Sequence, residues 1–115
     1  MTPEFIQQYR FGKIVIEGKT YENDVILLGK EVVPNWWRNR GHRLAKKDLE
    51  KIIEFKPDLL IVGKGHSGNM SVPSGLPGEL NFKVEKYDTN KAVKVYNDKI
   101  KKSNQKISGA FHLTC

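Results

Sequence analysis

An unbroken apolar run, Leu59-Leu60-Ile61-Val62, directly follows a helical pattern and constrains the fold more than any other feature of the sequence. Around residues 46–55 apolar side chains recur at spacings of three and four, which predicts an amphipathic helix; they are Ala45, Leu49, Ile52 and Ile53. Pro57 ends that helix, because the residue before a proline disfavours helical backbone. A short strand without polar alternation is typical of a parallel sheet covered on both faces. From Lys46 onward the sequence therefore predicts a helix packed against a central, buried strand.

Further strands and a second helix are predicted on either side of this unit. Residues 11–16 and 24–28 are rich in Val, Ile and Leu, and the turn residues 17–19 between them predict an N-terminal β-hairpin. Residues 63–79 are predicted as loop with at most a short helix, and residues 82–87 and 107–113 as strands. Between these strands lies a helix, capped by Asp88 or Thr89, whose apolar stripe is Ala92, Val93, Tyr96 and Ile100. The order β-β-α-β-loop-β-α-β predicts one α/β domain over residues 1–115, with helices covering the sheet.

The chain has 115 residues and a single cysteine, Cys115, so an intrachain disulfide and a multi-cysteine metal site are excluded. The first residues lack the basic and apolar regions of a signal peptide, and every apolar run is far shorter than a membrane span. We therefore expect a soluble, cytoplasmic protein without membrane contact. None of the motifs discussed below is specific for a cofactor, so we expect no cofactor.

A net charge of +7 raises nucleic-acid binding as a function. Much of the positive charge, however, lies on or just after the second predicted helix, at lysines 91, 94, 99, 101, 102 and 106, and the opposite face of that helix is apolar. This arrangement is typical of a solvated helix surface. Nonspecific nucleic-acid binding through the lysine-rich helix is retained as the least favoured alternative.

The loop from Gly29 to Leu44 has an unusual composition for a connection. It contains two adjacent tryptophans, Trp36 and Trp37, together with Arg38, Gly41 and His42. Loops that carry large aromatic and arginine side chains are enriched in binding functions. We expect one tryptophan to pack in the core, and an exposed indole beside guanidinium groups would then be a typical anchor for a protein partner. The loop from Trp36 to His42 is therefore the first candidate contact surface.

A glycine-rich segment from Gly63 to Gly68 matches the pattern G-x-G-x-x-G directly after the apolar strand, and Asp88 follows 20 residues later. Dinucleotide binding also needs a helix that opens at the third glycine, and the residues after Gly68 are poor helix formers. A weaker hypothesis is an anion site formed by the loop amides and Lys64, and the favoured structural alternative is a tight turn. The candidate small-ligand residues are Gly63, Lys64, Gly65, His42, Asn97 and His112.

The three histidines, His42, His66 and His112, lack the spacing of a metal site, and no Cys-x-x-Cys motif accompanies them. We therefore expect no metal ion. Cys115 and His112 could pair as thiol and imidazole only if the chain turned between them, because residues three apart on a strand face opposite sides. A small terminal residue without a chemical role is the favoured interpretation of Cys115.

Several short motifs occur in an order and spacing that resemble a known family. They are Tyr9-Arg10-Phe11-Gly12-Lys13-Ile14, Tyr21, Asp24-Val25-Ile26, Trp37-Arg38, Gly41-His42, Asp48-Leu49, Gly63-Lys64-Gly65, Thr89, Ala92, Tyr96-Asn97 and His112-Leu113-Thr114-Cys115. From Tyr9 to Cys115 the chain resembles the small-domain family shared by the mitochondrial complex I assembly factor 3 and the adipogenesis-associated human protein. The resemblance implies a three-layer α/β/α domain with a mixed sheet and a role in assembly or interaction. It supplies no catalytic residues.

These observations rank three functions. A non-enzymatic binding or assembly module that uses the loop from Trp36 to His42 comes first. A site for a small anionic ligand, or an unidentified enzyme activity, at the loop from Gly63 to Gly68 comes second, and nucleic-acid binding comes third. The sequence leaves open the identity of the partner or ligand and the oligomeric state.

Overall fold

The computed structural model describes residues 4–38, 40–102 and 104–115. A small antiparallel sheet contains the first three strands, which are β1 (Ile6–Arg10), β2 (Lys13–Ile16) and β3 (Lys19–Tyr21). A larger sheet contains β4 (Val25–Leu28), β5 (Glu31–Val33), β6 (Leu59–Lys64), β7 (Lys83–Tyr87) and β8 (Ile107–His112). A 3₁₀ turn at Lys46–Leu49 leads into α1 (Glu50–Phe55), a second 3₁₀ turn spans Pro77–Glu79, and α2 is Thr89–Lys102.

The larger sheet is mixed, with the order β5-β4-β8-β6-β7. Strand β6 runs parallel to both β7 and β8, whereas β4 runs antiparallel to β8 and β5. The prediction of a central strand at Leu59–Val62 is confirmed, since β6 has a partner on each side and all four of these residues are buried. The carboxyl ends of β6 and β8 lie side by side, with Lys64 paired to His112 in register.

Helices cover opposite faces of the larger sheet, because side chains alternate along each strand. Leu59 and Ile61 belong to a core cluster that includes α2 and the small sheet, and Leu60 and Val62 belong to a cluster that includes α1. The predicted three-layer α/β/α architecture with a mixed sheet is therefore confirmed. No helix in the described part of the chain is long and apolar enough to cross a bilayer.

Local signals explain where the helices begin and end. Before α2, the Asp88 carboxylate accepts a hydrogen bond from the Lys91 N–H at 3.2 Å, as expected of a capping aspartate. After α1, Lys56 adopts a left-handed conformation with φ of 54°, and Pro57 follows. The first turn of the helix predicted from Lys46 is a 3₁₀ turn, in which the Asp48 carboxylate accepts a hydrogen bond from the Ala45 N–H.

The predicted N-terminal hairpin is present, but its second arm differs from the prediction. The turn at Glu17 and Gly18 joins β2 to β3, and residues 25–28 instead join the larger sheet beside β8. Both turn residues have positive φ, which makes the chain reverse at once, so the three residues that follow are the ones that pair with β2. β1, β3 and β5 were not predicted from the sequence.

Candidate functional site

A buried cluster of Asp24, Arg38 and His112 lies at the carboxyl end of β8. His112 is the last residue of β8, Asp24 directly precedes the neighbouring strand β4, and Arg38 comes from the loop after β5. The Asp24 Oδ2 atom lies 2.8 Å from Arg38 Nη2 and 2.8 Å from His112 Nδ1. Asp24 Oδ1 accepts a hydrogen bond from the Leu113 N–H at 2.7 Å, which ties the carboxylate to the end of the strand.

The hydrogen bonds of the cluster define the roles of its nitrogen atoms. Arg38 Nη2 has two hydrogens, and it donates one to the Gly41 carbonyl at 2.9 Å and the other to Asp24. Neither hydrogen remains for His112, so the 3.0 Å contact between Arg38 Nη2 and His112 Nδ1 is not a hydrogen bond of its own. His112 Nδ1 therefore carries a hydrogen and donates it to the Asp24 carboxylate.

Two nitrogen atoms of the cluster, Arg38 Nη1 and His112 Nε2, are buried and have no hydrogen-bond partner among the residues that the structure describes. The Arg38 side chain is 4% exposed and the His112 side chain 7%. Buried polar groups in folded proteins nearly always have a hydrogen-bond partner, so orphaned groups are informative. Their location in one cluster marks it as a place where a further polar group can be bound.

The pKa of Asp24 reflects two opposing effects. Burial of the carboxyl alone would raise its pKa, whereas the hydrogen bonds from His112, the Leu113 N–H and Arg38, together with electrostatic attraction to His112, lower it. The lowering effects outweigh burial, and the pKa of Asp24 lies below its ordinary value. Asp24 is therefore held ionised as the anionic centre of the cluster.

Gly65 and His42 form two walls around the His112 imidazole. A Cβ atom at Gly65 would lie 2.8 Å from His112 Cδ2, and Gly65 has φ of +105°, so only glycine fits there. The His42 imidazole packs edge-on against the His112 ring, with ring centroids 5.6 Å apart. Lys64 stands beside His112 on the neighbouring strand, on the same face of the sheet because paired residues point to the same side.

The predicted residues Arg38, Gly41, His42, Lys64, Gly65 and His112 are thus brought together. The glycine segment, however, uses at least three of its amides within the protein: the Gly65 N–H donates to Thr89 Oγ1, the His66 N–H to the Thr114 carbonyl and the Gly68 N–H to the Gly65 carbonyl. Gly63 allows close packing, since a Cβ there would lie 2.9 Å from Thr89 Oγ1. No helix opens at Gly68, as predicted.

Asn97 lies outside the cluster and joins α2 to β1. Its Oδ1 accepts a hydrogen bond from the Ile6 N–H at 2.8 Å, and its Nδ2 donates to the Ile6 carbonyl at 2.9 Å. The side chain thereby replaces the backbone partner that Ile6 would have in a continuing sheet. Asn97 also borders an open groove of about 510 Å³ beside Phe5 and Lys101.

The tryptophan pair divides between core and solvent, as predicted. Trp36 is buried, its Nε1–H donates to the Asp48 carbonyl at 2.8 Å, and its backbone N–H donates to the Asp24 carbonyl. The Arg38 guanidinium lies over the Trp36 ring, 4.5 Å from its centroid. Trp37, between these two buried side chains, is 75% exposed.

A second exposed aromatic residue, Phe11, lies in the turn between β1 and β2 and is 55% exposed. Its ring packs edge-on against the His66 ring, with centroids 5.8 Å apart. The Tyr9 hydroxyl donates to the Leu113 carbonyl at 2.9 Å. Burial first, and then the charges of Asp24 and Asp88, raise the pKa of Tyr9 to about 12, so this hydroxyl is a hydrogen-bond donor at neutral pH.

Exposed cations follow Trp37 in the sequence, on the same loop and in the 3₁₀ turn after it. Arg40, Arg43 and Lys47 line a depression of about 270 Å³ together with Ala45 and Asp48. None of these three cations takes part in an ion pair found among residues 4–38, 40–102 and 104–115. Trp37, Arg40, Arg43 and Lys47 are called the basic loop surface below. Asp48 is engaged by the Ala45 N–H.

Within the described ranges, no three His, Cys, Asp or Glu side chains are grouped closely enough to bind a metal ion. Cys115 is an exposed free thiol. Asp24 was not among the candidate site residues, since an aspartate at the start of a predicted strand gives no sign of a site until the fold places it beside β8.

The protein is an α/β/α domain with a mixed five-stranded sheet, and it carries an Asp-Arg-His cluster at the end of the middle strand of that sheet. The chain belongs to the family described as a protein of unknown function, DUF498/DUF598, whose sequence profile matches residues 6–112. This match supports the resemblance that the sequence motifs indicated, but only at the level of this family of unknown function. Solved structures of Mth938-like proteins share the fold.

Three solved structures illustrate the likeness. A conserved hypothetical protein of Pyrococcus horikoshii OT3, PH1505, is 24% identical with a TM-score of 0.80, covering 96% of this chain and 98% of that one. The protein MT938 is 23% identical with a TM-score of 0.77, covering 97% and 99%. A Bordetella pertussis protein, described as a Mth938-like domain, is 15% identical with a TM-score of 0.63, covering 98% and 90%. At these identities the likeness concerns the fold alone.

Proposed function

We propose that this protein is a non-enzymatic binding module that takes an acidic protein partner on its basic loop surface. The observation that carries the proposal is the exposure of Trp37 on a loop whose two neighbouring side chains are buried. An exposed indole of this size is unusual on a protein surface and is the residue type most enriched among binding hot spots. The resemblance to a family with assembly factors supports an assembly-type role.

Trp37 has little backbone conformational freedom to lose on binding, because both of its neighbours in the chain are held in place. Trp36 is held by its hydrogen bonds to Asp24 and Asp48, and Arg38 is held by its hydrogen bonds to Gly41 and Asp24. A loop that is already ordered avoids much of the entropy cost of association. Trp37 is therefore a preorganised anchor.

The charge of the basic loop surface indicates the chemistry of the partner. Arg40, Arg43 and Lys47 bring three positive charges to one depression, whereas Arg38 is already paired with Asp24. Complementary charge speeds association and selects against basic partners. A partner with clustered Asp and Glu side chains around an apolar pocket for Trp37 fits this surface.

The lysines of α2 are less suited to a partner than the basic loop surface. Lys101 pairs with Glu4 and Lys102 with Asp98, while Lys91 lies over the Tyr87 ring at 5.5 Å. Their charge is partly balanced within the chain. We therefore rank nucleic-acid binding along α2 below protein binding at the loop.

The test uses affinity-tagged full-length variants. Partners are first captured from cell extract, and the affinity of each variant for each purified partner is then measured. Trp37→Ala is expected to lower the affinity for a bound partner by about tenfold or more, as hot-spot tryptophans do. Arg43→Ala should lower the association rate and its dependence on salt. Lys94→Ala, which removes an exposed charge from α2, is the matched control and should bind like wild type.

Retention of every co-purified partner by the Trp37→Ala, Arg43→Ala double variant would end the proposal. Equal losses in that variant and in Lys94→Ala would also contradict it, because they would indicate charge attraction without a defined surface. The melting temperatures of the variants are measured in parallel. Because Trp37 is exposed, Trp37→Ala should change the free energy of unfolding by less than about 0.5 kcal/mol.

A further inference from the structure

The Asp24-Arg38-His112 cluster has more positive than negative groups. Asp24 is the carboxylate that contacts both Arg38 and His112, whereas Lys64 stands beside His112 in register and the His42 ring packs on it. One carboxylate thus faces one guanidinium, a neighbouring ammonium and two imidazoles. Arg38 and Asp24 balance each other in charge, so the partly buried Lys64 ammonium on the neighbouring strand leaves a net positive charge that favours an additional anion.

The orphaned atoms determine what kind of anion fits. Arg38 Nη1 can only donate hydrogen bonds, and it has no acceptor in the described structure. With Nδ1–H donated to Asp24, His112 Nε2 either donates to an ionised oxygen as imidazolium or accepts from a protonated ligand oxygen. An ionised carboxylate or phosphate can accept from Arg38 Nη1 and from an imidazolium Nε2, and a phosphate that keeps one proton can also donate to a neutral Nε2.

We propose that Arg38 Nη1 and His112 Nε2 form a binding site for a small oxyanion, with Asp24 orienting both side chains. This site is independent of the basic loop surface, since it uses the buried Arg38 and His112 and does not require Trp37, Arg40 or Arg43. Lys64 adds long-range attraction from the neighbouring strand. Gly65 keeps the wall beside His112 free of a side chain.

Access to the site requires a change at His42. Arg38 Nη1 and His112 Nε2 are both buried, and the exposed His42 side chain packs on the His112 ring. The His42 carbonyl is held by the Ser71 N–H at 2.8 Å, so the backbone at this point is fixed. Rotation of the His42 side chain alone, a movement that exposed residues make readily, admits the ligand.

The test is an NMR titration of the isotope-labelled full-length protein with sodium phosphate and, separately, sodium acetate, at constant ionic strength set by chloride. Saturable shifts of the Arg38 side-chain and His112 ring signals are expected. The two titrations distinguish a tetrahedral from a planar oxyanion, and saturation in either supports the site. Glycerol, which has hydroxyls and no charge, should give no saturable shift.

Two variants separate this site from general charge attraction. His112→Asn keeps an N–H for Asp24 and removes Nε2, and Arg38→Lys keeps the charge and removes the fork; each should weaken binding by about tenfold or more. Lys94→Ala should bind like wild type, and His42→Ala should bind faster. The wild-type titration is decisive even if a variant folds poorly.

Three results would overturn the proposal. They are the absence of saturation by both anions, shifts confined to Arg40, Arg43 and Lys47, and unchanged affinity in a folded His112→Asn variant. Unchanged association kinetics in His42→Ala would remove the covering role assigned to His42. Failure here leaves the protein-binding proposal intact, since that proposal is tested at Trp37 and Arg43.

Discussion

Asp24 and His112, which are 88 residues apart in sequence, meet at a distance of 2.8 Å between Oδ2 and Nδ1. The contact joins the start of β4 to the end of β8, the two strands that pair antiparallel beside each other. Because Asp24 also accepts hydrogen bonds from Arg38 and Leu113, it holds the loop after β5 against the sheet. The carboxylate is therefore both a structural tie and the reason that Arg38 and His112 point into one cluster.

Asp24→Asn should destabilise the fold. The substitution removes the negative charge between Arg38 and His112 and leaves a buried guanidinium without its counterion, which costs about 2–3 kcal/mol. The free energy of unfolding from urea denaturation measures the loss. Asp98→Asn is the control, since Asp98 pairs with Lys102 on the exposed face of α2, and it should have a much smaller effect. Equal effects of the two substitutions would show that the buried cluster carries no special stability.

The contribution of Asp24 should depend on pH in a definite direction. Its pKa is lowered in the folded state, so the unfolded chain takes up the proton first as the pH falls. The stabilisation is complete well above the ordinary aspartate value of about 3.9 and is lost as the pH falls toward the lowered folded value. The difference in unfolding free energy between wild type and Asp24→Asn should therefore shrink from about pH 6 to about pH 2.5. A difference that stays constant over this range would contradict the assignment.

Gly65→Ala should be strongly destabilising. The new Cβ would lie 2.7 Å from the carbonyl oxygens of Thr114 and Cys115, and the residue would keep an unfavourable φ of +105°. The expected loss is about 2 kcal/mol or more, and the His112 ring signals should shift because Cδ2 is also in contact. Gly75→Ala is the matched control, because it has open space around it and no positive φ. It should be neutral or slightly stabilising, and a similar loss at both positions would refute the steric argument.

Asn97→Ala should loosen β1 from α2. The substitution leaves both the N–H and the carbonyl of Ile6 without a partner, with an expected loss of about 2 kcal/mol. Hydrogen exchange of the Ile6 amide should accelerate more than exchange in β6. Asn90→Ala, on the exposed first turn of α2, serves as the control and should be close to neutral. Unchanged protection of the Ile6 amide would show that Asn97 does not hold the strand.

The sequence predicted those parts of the fold that depend on local periodicity. The apolar run of β6 and the stripe of α2 each have a pattern that belongs to one kind of element; β6 was placed to within two residues, and α2 begins where the predicted cap lies. The partner of the hairpin was not predictable in the same way. β3 and β4 both follow the turn at Gly18, and their assignment to different sheets depends on β8, which lies about 80 residues further on.

The candidate site was predictable in part for a related reason. Arg38, His42, Lys64 and His112 attracted notice through their residue types and through their places in loops or at strand ends. Asp24 was named only as part of a family motif and not as a candidate site residue, since a single carboxylate becomes significant only through the groups that surround it. Asn97 was grouped with the ligand residues, but its amide is occupied by the backbone of Ile6.

The position of β8 has a consequence for how the molecule forms. β8 lies between the β4–β5 pair and the β6–β7 pair, so the two pairs are connected in the sheet only through β8. Two half-sheets can therefore assemble early, each with an unsatisfied edge, and they join only when this late strand inserts between them. Long-range closure of this kind is slow compared with local pairing, so the interval before insertion is when the chain is most open to chaperones and to aggregation.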